Sequence, residues 1–430
     1  MPSRLRIEKI VYPGRSLALD EGKVVFTDRG LPGETVDVEI LKDRKTFADA
    51  RTVAIVERSP SRVEPRCDHY LACSPYQEMD YPTQLDVKKA QVEEIVGREL
   101  KIKTRKLSVT PSPEIWGYRN RIRLRVLRED GRARAYYHEP GEETAFVPVD
   151  RCHLVSDAVN DLLAELVGFV NREEWDAVRG LEIRESRARA RSLVVFHLET
   201  AARIEEMAAK LAGLHHRFPL SGLVGLVSDG KRVHEETMGG VSRIEEAIGG
   251  IVYRIGARSF FQVNIGILEK VFADMKRAMS ELADPVVIDL YTGLGTFGIF
   301  LAKGGAREVF GVEPDPANLR YLKKNIEFNK AGNFAVCEGT SEHWLPSLLE
   351  RDVGAVVLDP PRRGADAGLL ADLAASEVPL VLYLSCNPTT LARDLKILLT
   401  SYEIRDLRVY DFFPHTPHIE TLAVLKRMPD

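Results

Sequence analysis

The stretch VVIDLYTGLGTFGIFLAK, residues 286–303, narrows the possible folds more than any other part of this chain. Val286 to Leu290 form a short run, apolar except for Asp289, that reads as a strand buried on both faces. Gly293-x-Gly295-x-x-Gly298 then turns the chain directly into an amphipathic helix. Glycines at these places let a ligand approach the backbone and let the helix pack against the strand. The next run, EVFGVE, ends in Glu313, 24 residues after Asp289 (313 − 289), where an acid can accept from ribose hydroxyls. Strands and helices continue to alternate to the end, which predicts a doubly wound parallel sheet from about residue 259.

Length and composition limit the rest. At roughly 150 residues per domain, a chain of 430 residues holds about three domains. No apolar run reaches the ~20 residues that span a bilayer, and MPSRLRIEKI lacks the apolar core of a secretory leader, so a soluble, cytoplasmic protein with no membrane partner is expected. The net charge of −4, from 60 basic and 64 acidic residues, excludes an overall basic nucleic-acid binder but not a local basic surface. Residues 1–58 alternate in short runs between turns and read as a small antiparallel barrel. Residues 59–258 read as a central α+β unit with a cysteine-bearing loop and a helix from about Pro82 to Leu100, and residues 259–430 as the parallel-sheet unit. Between Lys101 and Arg134 stand eleven basic residues, Lys103, Arg105 and Lys106 among them, against three acidic ones. Within that run YRNRIRLRV alternates, which predicts a strand with Arg119, Arg121, Arg123 and Arg125 on one face as a phosphate-tracking surface.

The chemistry concentrates late in the chain. VGAVVLDPPRRG sets Asp359 at the carboxyl end of a strand, on the rim where open α/β sheets bind ligands, and arginine rather than an aromatic residue follows Pro361. The glycine loop suits a dinucleotide or S-adenosylmethionine, and the downstream residues favour transfer of a methyl group to carbon. LVLYLSCNPTTLARDL ends an apolar strand at Cys386, before Asn387-Pro388 and a helix. A thiolate there can add to the 6-carbon of a uracil and so activate its 5-carbon. The helix N-terminus favours an anion by about 0.3–1 kcal/mol, less than one unit of pKa, so Arg362 or Arg363 is expected to help. A base must then remove the 5-proton, and FFPHTPHIE supplies His415, His418 and Glu420, with no acidic or cysteine partner at the spacing of a metal site. Cys337 reads as a small buried hydrophobe.

DLYTGLGTFG, GVE, DPPRRG, LSCNPTTLARD and FPHTPHIETLAVL, in this order and preceded by SFFQVN, resemble the S-adenosylmethionine-dependent RNA 5-methyluridine methyltransferases. GKVVFTDRGLPGETVDVEI is similar to a TRAM domain, an RNA-binding barrel of OB type. The resemblance implies a Rossmann-like class I methyltransferase domain behind a TRAM barrel and a central α+β domain. It makes Cys386 the nucleophile and Glu420 the base, and lines the cofactor and uracil sites with Gln262, Tyr291, Gly293, Gly295, Thr296, Glu313, Thr340 and Asp359. Gln262 and Asn387 also suit the uracil edge by their chemistry. Thr292, Thr296 and Thr340 depart from the cysteine, asparagine and acid or amide common in the family. Ribosomal-RNA members hold a 4Fe-4S cluster on C-x5-C-x2-C and a distant fourth cysteine; here Cys67, Cys73 and Cys152 match and Tyr76 stands at the third place, which leaves open a cluster completed by His69 or Tyr76, a 3Fe-4S cluster, or three thiols that simply pack. The resemblance implies an RNA substrate, expected to be ribosomal, with transfer RNA second. The reading from a different class is a non-catalytic RNA-binding protein on the same scaffold, which intact Cys386, Glu420 and glycine loop argue against.

Overall fold

The computed structural model describes residues 3–102, 107–138, 146–228, 230 and 232–429. Strands Ser3–Val11, Arg15–Asp20, Lys23–Thr27, Thr35–Asp43 and Phe47–Glu57 close into a five-stranded barrel. Alternation builds it: Leu5, Ile7, Ala18, Val25, Val36, Val38, Ala48 and Ala50 point inward, and the alanines suit a lumen too narrow for larger side chains. Gly30 has φ +128°, and a Cβ there would lie 2.7 Å from Ile7, so this turn requires glycine.

A seven-stranded sheet follows, in the order Val233–Gly240, Leu220–Ser228, Arg191–Leu198, Val178–Ser186, Arg121–Glu129, Arg132–His138, Phe146–Pro148. Helices Asp157–Arg172 and Ile204–Leu211 contribute Val159, Leu163, Leu166, Met207 and Leu211 to its core. Ile122, Leu124 and Val126 are buried while Arg123 and Arg125 are exposed, as the alternation predicts. The expected row of four arginines is broken, however. Arg121 is drawn to buried Glu182 at 2.8 Å, a carboxylate that also holds Arg184 at 2.6 Å, because a charge taken out of water must be paired. Arg119 precedes the strand and turns toward the ring of Phe413. Lys103, Arg105 and Lys106 lie outside the described residues.

The third body is an eight-stranded sheet ordered Phe334–Glu338, Glu308–Glu313, Val286–Leu290, Val353–Leu358, Leu380–Ser385, Glu420–Arg427, Tyr402–Tyr410, Leu107–Thr110. The first five strands are parallel, with apolar cores on both faces, as a doubly wound sheet demands. Chain order reverses beside Val286–Leu290, so the loops after that strand and after Val353–Leu358 diverge and leave a crevice. Two elements from the stretch read as the central unit complete this body. The strand Leu107–Thr110 pairs in parallel with Tyr402–Tyr410, and helix Tyr81–Leu100, capped by Asp80 accepting from Thr83 N at 2.8 Å, packs on helix Pro388–Leu398. Among the described residues no helix is long and apolar enough to cross a membrane.

Candidate active site

The glycine loop is shaped by buried Asp289. One carboxylate oxygen accepts from Gly298 N at 2.9 Å and from the Thr292 hydroxyl, while the other, Oδ1, has no partner. A Cβ on Gly298 would sit 2.6 Å from that carboxylate and from the Phe334 ring, so only glycine lets the helix approach. Gly293 and Gly295 take φ +59° and +83°, and Tyr291 also stands at positive φ, 62°, with its hydroxyl toward Glu342. Glu313 closes the loop by accepting from Gly293 N at 2.9 Å and Asp315 N at 2.7 Å, and burial raises its pKa. Thr296 opens the helix, its carbonyl accepting from Tyr253 Oη at 2.7 Å. Thr340 lies at the end of the adjoining edge strand, where its hydroxyl accepts from His343 N at 3.4 Å and caps a helix.

Across the crevice, Asp359 is half-buried and its pKa is pushed up to about 7, first by desolvation and then by the charge of Asp289. Cys386 follows Leu380–Ser385 on the neighbouring strand, and Glu420 begins the next strand, paired at Tyr410. Burial raises Glu420 well above the ordinary carboxylate range; Asp359 adds to the rise and Arg362 opposes it. The thiol does not behave as the helix N-terminus suggests. Burial, then the charges of Glu420 and Asp359, push Cys386 up to about 12, with Arg362 opposing. Two carboxylates and desolvation outweigh one guanidinium and the ends of a few peptide dipoles.

Arg362 belongs to this centre by position. Its carbonyl accepts from Asn387 Nδ2 at 3.1 Å and Thr390 Oγ1 at 3.3 Å, tying the Pro-Pro loop to the cysteine turn, and its guanidinium meets His418 Nδ1 at 3.2 Å. Asn387 caps the following helix by accepting from Thr389 N at 3.1 Å. His418 is held down to about 4 by burial and by Arg362. His415 stacks on Trp116 at 3.7 Å and bonds through Nδ1 to Gln84, and burial brings it to about 3. Both histidines are therefore neutral and weakly basic at pH 7. Gln262 lies on the loop before helix Ile265–Met279, its carbonyl fixed by Asn120 Nδ2 at 3.1 Å, and beside it Phe260 is 61 % exposed. Phe260 escapes the sequence reading. Its signal is the pair Phe260-Phe261 on a bend, where Phe261 turns into the core and Phe260 cannot follow.

The structure brings Cys67, Cys73 and Cys152 within electrostatic range of one another. Tyr76 is buried with Ile10, Leu31, Met79 and Val87, its hydroxyl accepting from Gln91 Nε2 at 3.1 Å. Cys67 accepts from Gln77 Nε2 at 3.4 Å, Cys152 contacts the Tyr137 hydroxyl at 3.4 Å, and burial raises Cys73 to about 12. His69 Nε2 is buried without a partner, yet among the described residues no group of three or more His, Cys, Asp or Glu side chains is disposed to hold a metal ion. Cys337 is buried beneath the sheet, as expected.

A doubly wound sheet with a glycine loop, an acid at the end of the next strand and a cysteine at a neighbouring strand end is the architecture of an S-adenosylmethionine-dependent methyltransferase. The chain belongs to the tRNA (uracil-5-)-methyltransferase family, whose sequence profile matches residues 80–428, and a TRAM domain matches residues 3–53. An RNA methyltransferase of Halalkalibacterium halodurans is 31% identical over 449 residues, covering 98% of this chain and 96% of that one. Another, from Clostridium acetobutylicum, is 30% identical over 444 residues, covering 96% and 95%. In structure the chain is similar to the Pyrococcus abyssi tRNA (uracil-54, C5)-methyltransferase in complex with S-adenosyl-L-homocysteine, with a TM-score of 0.76 at 24% identity over 98% of this chain and 100% of that one.

Proposed function

We propose that the protein methylates the 5-carbon of a specific uridine in RNA through a covalent adduct with Cys386. The observation that carries this reading is the grouping of one thiol, the buried Glu420 and half-buried Asp359 carboxylates, both of raised pKa, and one guanidinium at adjoining strand ends. S-adenosylmethionine, when bound between the glycine loop, Glu313 and Asp359, supplies the methyl group. Cys386 releases its proton to solvent and forms a bond from Sγ to the 6-carbon; the electron pair of the 5,6 double bond moves to the 5-carbon and its carbonyl, making that carbon the nucleophile. After the methyl has been accepted, Glu420 takes the 5-proton. The electrons left behind restore the double bond, the carbon–sulfur bond breaks, and the thiolate leaves.

Arg362 offsets the negative charge of the thiolate, and Gln262 and Asn387 address the uracil edge. Phe260 offers an exposed face for a base turned out of its stack. Ribosomal RNA is the first substrate pool we propose, in keeping with the TRAM barrel. Transfer RNA is the second reading, favoured by the likeness to the Pyrococcus abyssi enzyme.

The test incubates wild type and Glu420→Gln with S-adenosylmethionine and unmodified ribosomal or transfer RNA transcripts. Wild type is expected to form 5-methyluridine, detected by nucleoside mass spectrometry. Glu420→Gln is expected to accumulate a protein–RNA band on denaturing gels that Cys386→Ala abolishes. Product from Cys386→Ala would sink the adduct mechanism. The RNA that gives product names the pool.

A further inference from the structure

A basic face stands outside the catalytic crevice. It is made by the hairpin Arg243–Ile248 and Ile251–Gly256 packed on helix Pro316–Phe328. The packing is rigid: Asn325 accepts from Arg254 N at 2.8 Å and donates to its carbonyl, Tyr321 donates to Ser242 O at 3.2 Å, and a Cβ on Gly256 would fall 2.1 Å from the Tyr321 ring. On this frame Lys324 Nζ lies 5.5 Å and Arg320 Cζ 5.7 Å from the centre of the Tyr321 ring, and Arg254 covers the exposed ring of Phe328 at 4.0 Å. Arg243 completes the group, its Nε buried without a hydrogen-bond partner.

Four cations here meet one acid. Glu245 pairs with Arg254 at 3.1 Å and is shared with Arg189 at 3.9 Å, and among the described residues Arg243, Arg320 and Lys324 have no carboxylate partner. Desolvation and then the three arginines lower the pKa of Lys324, the signature of like charges held together. The barrel shows the opposite arrangement: Arg4, Arg15 and Arg51 are each paired with an aspartate or glutamate of the same barrel. Repulsion built into a rigid face is relieved by an anionic ligand. Both elements also issue from the crevice: Ile251–Gly256 runs into the loop bearing Phe260 and Gln262, and Pro316–Phe328 starts just after Glu313.

We propose that this face binds the phosphate backbone of the substrate RNA beyond the nucleotides held at Cys386, with Arg243, Arg254, Arg320 and Lys324 as the contacts. The inference rests on the RNA-methylation reading only for the identity of the partner, because binding is measured without turnover. Full-length wild type, Arg320→Glu/Lys324→Glu and a control double reversal, Lys303→Glu/Arg307→Glu, are compared by thermal melting and then by fluorescence titration of transfer and ribosomal RNA transcripts across salt concentrations. Lys303 ends helix Thr296–Lys303 and Arg307 precedes strand Glu308–Glu313, so neither belongs to the hairpin or to helix Pro316–Phe328, and their reversal changes net charge equally.

At about 0.1 M salt the Arg320/Lys324 reversal is expected to weaken binding at least about tenfold and to lower the slope of log K against log salt by about 1.5, two phosphate contacts, while the control changes neither comparably. Equal losses in both folded variants would assign the effect to net charge and overturn the proposal. An unchanged slope in the Arg320/Lys324 variant would also overturn it and leave an acidic protein as the partner of this face. Wild type that binds with the predicted slope differences but makes no 5-methyluridine would sustain the surface and reject the reaction.

Discussion

Cys386 rests as a thiol, and in the proposed reaction that sets the pH response. With its pKa pushed up to about 12, the thiolate fraction grows tenfold per pH unit through the neutral range, so single-turnover methyl transfer is expected to rise from pH 6 to 9 without levelling. A plateau near pH 7 would mean that bound RNA displaces one of the carboxylate charges. Asp289 gives a second prediction. Its pKa of about 7 is raised by burial, so its contribution to stability is complete below about pH 4 and is lost as pH rises through about 7, up to about 4 kcal/mol. Asp289→Asn keeps an oxygen for Gly298 N, so its melting temperature should gain on wild type steadily between pH 4 and pH 8. A difference that does not vary with pH would show that Asp289 is not the group being titrated. Gly298→Ala, which drives a methyl against that carboxylate and Phe334, is expected to cost about 1–3 kcal/mol in urea unfolding.

The element that orders the base is helix Tyr81–Leu100. Lys88, fully buried, bonds to Asp411 at 2.6 Å and to Phe413 O at 3.0 Å, while Gln84 accepts from His415 N at 2.7 Å, so one helix pins the loop that ends at Glu420. Lys88→Met leaves the Asp411 carboxylate buried alone and is expected to cost about 3–5 kcal/mol, most of it recovered in Lys88→Met/Asp411→Leu. Equal unfolding midpoints for the single and double variants would refute the pairing. The sequence shows the parallel strands through their apolar runs, because that signal is local, and it places a helix at about Pro82 to Leu100. It also shows Cys386 and Glu420, which stand at strand ends. It does not show that Lys88 meets Asp411, since no local pattern records a contact between residues so distant in the chain. The arginine row failed for the same reason: Arg121 answers to Glu182 on another strand, which alternation within YRNRIRLRV cannot reveal.

At the scale of the whole molecule, the parallel-sheet unit is not closed by its own stretch of chain. A fragment of residues 259–430 lacks both the strand Leu107–Thr110 and helix Tyr81–Leu100, and is expected to aggregate on expression, whereas residues 80–430 should remain monodisperse in gel filtration. A stable, cooperatively melting 259–430 fragment would contradict this. The pairing of Leu107 with Leu407 has a consequence for synthesis as well. During translation the early strand leaves the ribosome long before its partner exists, and the partner, once made, is a bare sheet edge until the early strand returns to it. The nascent chain therefore carries its own edge guard from the outset, and its most vulnerable interval comes at the end of synthesis, when the last strands have emerged and the guard has yet to dock.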